Sequence, residues 1–299
     1  MTEGQKEIRK EEGAAGIAGP VSMSIKDFNR LSRFIHKECG INITPTKRAM
    51  LEGRLNRRLK RLGMRSFAEY CDYLFSKQGI ESELIWMIDE VTTNKTDFFR
   101  EPVHFEYLTK RILPELADIA RRFGHKRLAV WSAGCSSGEE PYTLAMVINE
   151  FIDTNPRTNL SYIVIATDIS PSVLEKAEKA VYEDEKVTSV PSEMKKKYLL
   201  RGKDKMKNFV RIVPELREHV KFRRLNFMDG DFGFNETIDI IFCRNVIIYF
   251  DRQTQKTLLN KFCRCLSPGG YVFMGHSETL FGMDIPLAQI IPTVYRKIP

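Results

Sequence analysis

The sequence predicts an α/β protein with a doubly wound, mostly parallel sheet of the Rossmann-like type. Three observations predict it. Short apolar runs alternate with helical patterns after about residue 127, which is typical of a parallel sheet covered by helices. A small all-helical domain precedes them. A polar, basic stretch over about 186–219 is too long for a βα connection and predicts an inserted small antiparallel β-subdomain.

The first part of the chain, over about 21–90, carries apolar side chains at helical spacing. Gly40 is a natural end for the first helix. Four short helices of this kind predict a small bundle, followed by a linker over 91–103 where the ligand site begins. The predicted helices are Ile25–Cys39, Thr46–Leu62, Ser66–Phe75 and Ser82–Val91.

The second domain is expected over 104–299. The first strand should be followed by a helix at Pro141–Phe151, and the second by a helix from Ser170 to about Val181. The fourth strand should be followed by a helix at Asp251–Leu266. The segment Leu287–Lys297 resembles a closing hairpin. The predicted parallel strands are Leu128–Ala133, Tyr162–Thr167, Val220–Phe227, Ile238–Cys243 and Gly270–Met274.

The composition, the first twenty residues and the cysteine pattern indicate the general class of protein. The chain has 299 residues, 42% of them hydrophobic, and a formal net charge of +8. Residues 1–20 are charged, lack the apolar region of a secretory signal and predict a disordered tail. The six cysteines include no CxxC pair, so we expect reduced thiols, no metal site and a cytoplasmic location.

The loop after the first strand, Ala133–Pro141, is the first candidate ligand site. Its two glycines, Gly134 and Gly138, should let the backbone approach a ligand closely. Glu139 and Glu140 would repel a pyrophosphate at the start of the following helix. A ligand with a sulfonium, an ammonium and a ribose diol would be accepted, and S-adenosylmethionine has all three.

Polar residues at the ends of two further strands extend this site. Asp168 ends the second strand, where α/β nucleotide folds hold a ribose; the alternative is a helix-start charge or a turn residue. Asn226 follows the third strand, and Phe227 could pack on an adenine or belong to the core.

Several motifs resemble the chemotaxis receptor methyltransferase family, and the resemblance runs from about residue 24 to the end. The family consists of S-adenosylmethionine-dependent protein-glutamate O-methyltransferases with the class I methyltransferase fold. The motifs are Thr92–Arg100, Trp131–Pro141, Ala166–Ile169, Phe242–Phe250 and Gly275–Glu278.

The resemblance implies two sets of site residues. Arg100, Arg244 and Tyr249 should face the reacting end as catalytic residues. The residues expected to bind the cofactor are Asn94, Thr96, Arg100, Ala133, Glu139, Asp168, Asn226, Phe227, Arg244 and Asn245.

The implied reaction suits these residue types. A glutamate side chain with a pKa of about 4.3 is already ionised near pH 7, so the reaction needs no general base. Because the attack neutralises charge, we expect Arg244 or Tyr249 to orient one carboxylate oxygen and leave the other free. Arg100 could serve the cofactor carboxylate, Arg244 could form a structural salt bridge, and Tyr249 could be core.

The second predicted helix carries basic residues at helical spacing, which predict a stripe beside its leucines. In the resembling family this helix corresponds to the element that docks on the acidic methylation region of the receptor; a merely solvated face is the alternative. The expected docking residues are Lys47, Arg54, Arg58, Arg61 and Arg65.

The expected partners are the cytoplasmic methylation helices of chemotaxis receptors, with recruitment to membrane receptor arrays. We expect a monomer that neither binds nucleic acid nor inserts into a membrane. In some family members the β-subdomain holds a C-terminal receptor peptide through a glycine-containing loop. Here no glycine follows Gly202 up to Asn208, which makes such a tether doubtful.

Two other functions compete. A nucleic-acid methyltransferase would use the basic helix on phosphates, but the chain has no aromatic-interleaved basic stretch and no acidic/amide-Pro-Pro-aromatic tetrad. A non-catalytic cofactor-binding module is opposed by Arg100, Arg244 and Tyr249.

Overall fold

A computed structural model describes residues 20–298 of the chain. The predicted disordered tail therefore lies outside the described residues, apart from Pro20. Within the described range, no helix is both long enough and apolar enough to cross a membrane.

The N-terminal part is a helical bundle, as predicted, with five helices where four were expected. Ser24 caps the first helix through its side chain, and Gly40 ends it with a left-handed φ of 74°. The last predicted helix is observed at Leu84–Val91, and a short helix that was not predicted, Lys77–Ser82, precedes it. The helices are α1 Ile25–Cys39, α2 Arg48–Leu62, α3 Phe67–Leu74, α4 Lys77–Ser82 and α5 Leu84–Val91, with a 3₁₀ turn at Pro45–Lys47 before α2.

A buried ion pair joins α2 to the junction of α4 and α5 inside this bundle. The Arg58 guanidinium donates to both carboxylate oxygens of Glu83, at 2.8 and 2.6 Å, and Tyr70 donates its hydroxyl to the same carboxylate. Arg58 is only 5% exposed. Arg54 is also engaged, because its guanidinium donates to the carbonyls of Val91 and Thr92.

These contacts show that the predicted basic stripe was wrong at two positions. The helical spacing placed Arg54 and Arg58 on one exposed face, but α5 packs against that face and uses both side chains to join the bundle. Lys47, Arg61 and Arg65 are exposed.

The main sheet has seven strands in the order β6-β2-β1-β7-β8-β10-β9. The first five in this order are parallel, and the last two form an antiparallel hairpin at one edge. The predicted doubly wound fold is confirmed. The strands are β1 Lys126–Ala133, β2 Leu160–Asp168, β6 Val220–Arg224, β7 Ile238–Cys243, β8 Leu266–Met274, β9 Leu287–Ile291 and β10 Val294–Lys297.

Helices cover both faces of this sheet. Along β1, Leu128 and Val130 pack in one apolar core, while Trp131 and Ala133 pack in the other. This alternation explains the continuous apolar run in the sequence, since both faces of the strand are buried. The helices are α8 Glu139–Thr154, α9 Pro171–Lys179 and α12 Arg252–Cys265.

One covering helix was not predicted from the sequence. It comprises α6 Pro102–Tyr107, a π-helical turn at Leu108–Ile112 and α7 Leu113–Phe123. Pro114 lacks an amide hydrogen and cannot make the ordinary i to i−4 bond, which accounts for the irregular turn before it. Buried apolar residues of this segment pack on one face of the sheet.

The inserted segment folds as a separate three-stranded antiparallel sheet, as expected, although it begins at Val181 rather than near 186. A Cβ atom at Gly202 would lie 2.0 Å from the Met206 carbonyl oxygen, so the loop after β4 closes tightly on itself. The elements are β3 Val181–Glu183, α10 Ser192–Tyr198, β4 Leu199–Arg201, β5 Phe209–Ile212 and α11 Pro214–Arg217, with 3₁₀ turns at Asp184–Val187 and Asp204–Met206.

The buried ion pair in the helical bundle gives a first prediction. Arg58→Ala should lower the free energy of unfolding by about 3 kcal/mol, because it leaves the Glu83 carboxylate buried without its cation. Arg61→Ala, on an exposed residue of the same helix, should leave stability within about 0.5 kcal/mol. Chemical denaturation of both variants measures the difference, and equal stabilities would contradict the structural role.

Candidate active site

The candidate site is a pocket at the carboxyl ends of β1 and β7, where the strand order reverses. Ligands of doubly wound sheets bind at this switch point. The pocket encloses about 950 Å³ of empty space, part of it open to solvent. Its walls come from the main sheet and the helical bundle alike. The bundle and the linker after it supply Cys39, Ile41, Val91, Thr92, Thr93, Asn94, Lys95, Thr96 and Arg100.

The glycine loop after β1 forms the floor of the pocket. Gly134 has a φ of 84°, and a Cβ atom there would lie 2.6 Å from the Val246 side chain, so only glycine fits. Gly138 has a different role from the one predicted. A Cβ atom at Gly138 would meet the Tyr182 hydroxyl at 2.8 Å, which means that this glycine allows close packing on β3.

Asp168 ends β2 and lies in the pocket wall, as predicted. Its carboxylate accepts the backbone N–H of Ser136 at 2.9 Å and that of Ser170 at 3.0 Å. Burial raises the pKa of this carboxyl, and the two N–H donors oppose the change. The carboxylate is therefore fixed in place at the pocket wall.

The turn after β7 is held by the buried carboxylate of Glu278, a motif residue for which no role was predicted. Glu278 accepts backbone N–H groups from Asn245, Val246, Ile247 and Gly275, at 2.6 to 2.9 Å. Burial raises its pKa, while these four donors favour the ionised form. The contacts hold Asn245 in a left-handed conformation with φ 59°.

Asn245 presents an unmatched acceptor to the pocket. Its Oδ1 atom is buried and has no hydrogen-bond partner among the residues that the structure describes. A buried amide oxygen of this kind needs a donor. The ammonium, amine and hydroxyl groups of S-adenosylmethionine are donors of the right kind, so the residues present fit this cofactor.

Two predicted cofactor residues lie just outside the pocket. Of the described residues, Gly134 and Glu140 line it, whereas Ala133 and Glu139 do not. The Ala133 side chain packs in the core behind the sheet. The Glu139 carboxylate accepts the Ser137 hydroxyl at 2.7 Å, and burial raises its pKa. Ala133 and Glu139 therefore remain predicted cofactor residues, while Gly134 and Glu140 are the members of each pair that line the pocket.

Arg244 is in the pocket wall, but most of its guanidinium is already engaged. Its Nε donates to Glu140 at 2.7 Å, and its Nη1 donates to the Arg100 carbonyl at 2.6 Å and to His104 at 3.1 Å. The group also lies over the Phe105 ring, at 5.3 Å from the centroid. The structural salt bridge considered for Arg244 is therefore present, formed with Glu140.

The remaining predicted residues meet in the same pocket. Tyr249 is half-buried in the wall, and the Lys47 ammonium lies 6.0 Å from the centre of its ring. The Asn226 amide donates to the Glu38 carbonyl of α1, which ties the helical bundle to the pocket. The other predicted residues that line it are Asn94, Thr96, Arg100 and Phe227.

One cluster beside the pocket has the composition of a metal site. Glu101, His104 and His276 bring one potential ligand atom each within 4.8 Å of the others. The Arg244 Nη1 atom donates to His104 Nδ1, and it lies 3.6 Å from the Glu101 carboxylate. A metal ion there would compete with this guanidinium for the same lone pair and be repelled by its charge.

The fold and the pocket together define an S-adenosylmethionine-dependent methyltransferase, and sequence comparison agrees. The family model described as "CheR methyltransferase, SAM binding domain" matches residues 94–295, and "CheR methyltransferase, all-alpha domain" matches residues 26–92. The chain belongs to the CheR methyltransferase family, and its cofactor is S-adenosylmethionine.

Curated relatives are similar over nearly their whole length. The chain is 39% identical over 277 residues to the chemotaxis protein methyltransferase of Borreliella burgdorferi, covering 93% of this chain and 96% of the relative. It is 38% identical over 276 residues to the chemotaxis protein methyltransferase of Escherichia coli, covering 92% of each.

The Asp168 carboxylate gives a second prediction. Asp168→Asn should weaken binding of S-adenosylhomocysteine roughly 30-fold, about 2 kcal/mol, because a neutral amide replaces a charged acceptor. Isothermal titration measures the affinity. Asp153→Asn, a surface change near Lys197, is the matched control and should bind normally. Unchanged affinity in a folded Asp168→Asn protein would remove Asp168 from the cofactor site.

Proposed function

We propose that this protein transfers the methyl group of S-adenosylmethionine to glutamate side chains of chemotaxis receptors, giving glutamate methyl esters. The observation that carries the proposal is the lining of the pocket. Of the described residues that line it, none is a histidine, and the two acids, Glu140 and Asp168, are both engaged in hydrogen bonds. A pocket without a free base suits a nucleophile that is already ionised, and a carboxylate is one.

Bound in this pocket, the cofactor supplies an electrophilic methyl group on a sulfonium. The task of the protein is to place a carboxylate oxygen about 3–3.5 Å from that carbon, in line with the bond that breaks. Because negative and positive charge disappear together in the transition state, strong pairing of both oxygens would stabilise the ground state more. The limited freedom of the Arg244 guanidinium meets this requirement.

We assign orientation of the substrate to Tyr249 and Arg244 together. Tyr249 offers one hydroxyl donor at the pocket wall. The Nε and Nη1 atoms of Arg244 already donate hydrogen bonds within the protein. Arg244 therefore offers a substrate only its Nη2 atom and not a pair of parallel donors. Arg100 donates from Nη1 to the Lys95 carbonyl and lines the same pocket, where it would meet the cofactor carboxylate.

The surface around the pocket supports an acidic helix as the partner. Lys47 lies beside Tyr249, Arg61 is exposed near the end of α2, and Arg65 is exposed shortly after that helix. Charges of this kind steer association and set orientation more than they add affinity. The docking set proposed here is therefore Lys47, Arg61 and Arg65.

We further propose that recognition does not depend on a receptor tail peptide. The loop after β4 contains a 3₁₀ turn at Asp204–Met206, and Gly202 is used in its own tight closure. Measurable binding of a receptor C-terminal peptide to the β-subdomain would contradict this.

A transfer assay tests the proposed function. Labelled S-adenosylmethionine should label receptor-containing membranes of the source organism with base-labile methyl esters, and should leave RNA and DNA unlabelled. Tyr249→Phe should lower the transfer rate about tenfold with cofactor affinity unchanged, because it removes one orienting donor. Base-stable labelling of nucleic acid would support the competing methyltransferase class instead.

The docking surface has its own test. Lys47→Glu should raise the KM for receptor several-fold and reduce the salt dependence of the rate, because it removes a steering charge. Lys77→Glu, on an exposed residue of α4, is the control with the same charge change. Equal effects of the two variants would show that only net charge matters.

A further inference from the structure

His104 is a buried histidine that touches the site without lining the pocket. It lies in α6 and is 1% exposed. Its Nδ1 is 3.1 Å from the Arg244 Nη1 atom, and its Nε2 is 2.7 Å from the Thr293 hydroxyl in the turn between β9 and β10. The imidazole therefore joins the reacting end of the pocket to the hairpin at the far edge of the sheet.

The hydrogen-bond partners define which nitrogen carries the proton. The Arg244 guanidinium can only donate, so Nδ1 must accept. The Thr293 hydroxyl donates its own hydrogen to the Pro292 carbonyl at 2.5 Å, which leaves it an acceptor for an Nε2–H donor. Both contacts require the neutral tautomer with the proton on Nε2. In a protonated imidazole Nδ1 also carries a hydrogen and can no longer accept from Arg244.

We propose that neutral His104 is a positioning residue for methyl transfer, which orients the Arg244 guanidinium toward the substrate carboxylate. This rests on the proposed function of the pocket. Glu140 holds the Nε of Arg244, and the Arg100 carbonyl together with His104 holds Nη1. The Nη2 edge is thereby directed toward the substrate carboxylate. The guanidinium cannot rotate to hydrogen-bond both carboxylate oxygens.

The surroundings of His104 keep it neutral over the working pH range. Burial, followed by the nearby Arg244 charge, lowers the pKa of the imidazole to about 4. The other ionisable groups that face it are Glu101, with Oε2 3.4 Å from Nδ1, and His276, whose ring centre is 5.5 Å away. The Glu101 carboxylate acts in the opposite direction but does not outweigh burial and Arg244.

Two substitutions separate positioning from packing. In His104→Asn the amide oxygen takes the place of Nδ1 and can still accept from Arg244. In His104→Gln the amide nitrogen takes the place of Nε2 and can still donate to Thr293, but nothing accepts from Arg244. Both variants leave a similar small cavity, so their stabilities should be alike, and thermal unfolding checks this.

The expected result is a difference in turnover alone. The kcat for receptor methylation should fall tenfold or more in His104→Gln and by no more than about threefold in His104→Asn, with similar affinity for S-adenosylhomocysteine. In an Arg244→Lys background the two variants should become equivalent, because their difference acts through the guanidinium.

The outcomes distinguish this proposal from the proposed function. If the unchanged protein methylates receptor glutamates and both variants lose the same activity, His104 has only a packing role. The same conclusion follows if their difference persists with Arg244→Lys. If the unchanged protein labels no receptor, the proposed function itself fails, whatever the variants do.

Discussion

A buried guanidinium is the constraint on which the active site depends. Arg244 lies just after β7, where the strand order of the sheet reverses. A charge buried there is tolerated only with hydrogen-bonding or oppositely charged groups around it. Glu140 comes from the start of α8, the Arg100 carbonyl from the linker, and His104 from α6. Three separate segments must therefore converge on one side chain. The pocket takes its shape from this convergence, and the same contacts limit how the arginine can meet a substrate.

Most of the fold could be read from the sequence because its patterns are local. The strand Ile238–Cys243 was predicted at the observed bounds, since a short apolar run between polar residues identifies a buried strand. The helix Pro102–Phe123 was missed, although Phe105, Leu108 and Ile112 recur at helical spacing within it. Its proline and π-helical turn interrupt the regular period. The early start of the β-subdomain was missed because Val181–Glu183 is too short to carry a pattern.

The site was predicted less accurately because side-chain direction depends on tertiary contacts. Motif order brought Asp168, Asn245 and Tyr249 together correctly. Adjacent glutamates at a helix start look alike in a sequence, and only the neighbours Ser132 and Arg244 select Glu140 to face the pocket. The basic stripe failed for a similar reason. Spacing shows which residues share a face of α2, but not that Glu83, between α4 and α5, lies buried against that face.

The shared walls of the pocket have a consequence for how this protein can evolve. Cys39, Ile41 and Val91 come from the helical bundle, and the Ile41 backbone pairs with that of Phe250, which also lines the pocket. The bundle thus forms part of the pocket wall rather than a separate module attached beside it. Exchanging the bundle for another domain would therefore remove part of the pocket wall. Substitutions confined to its outer surface would leave that wall intact.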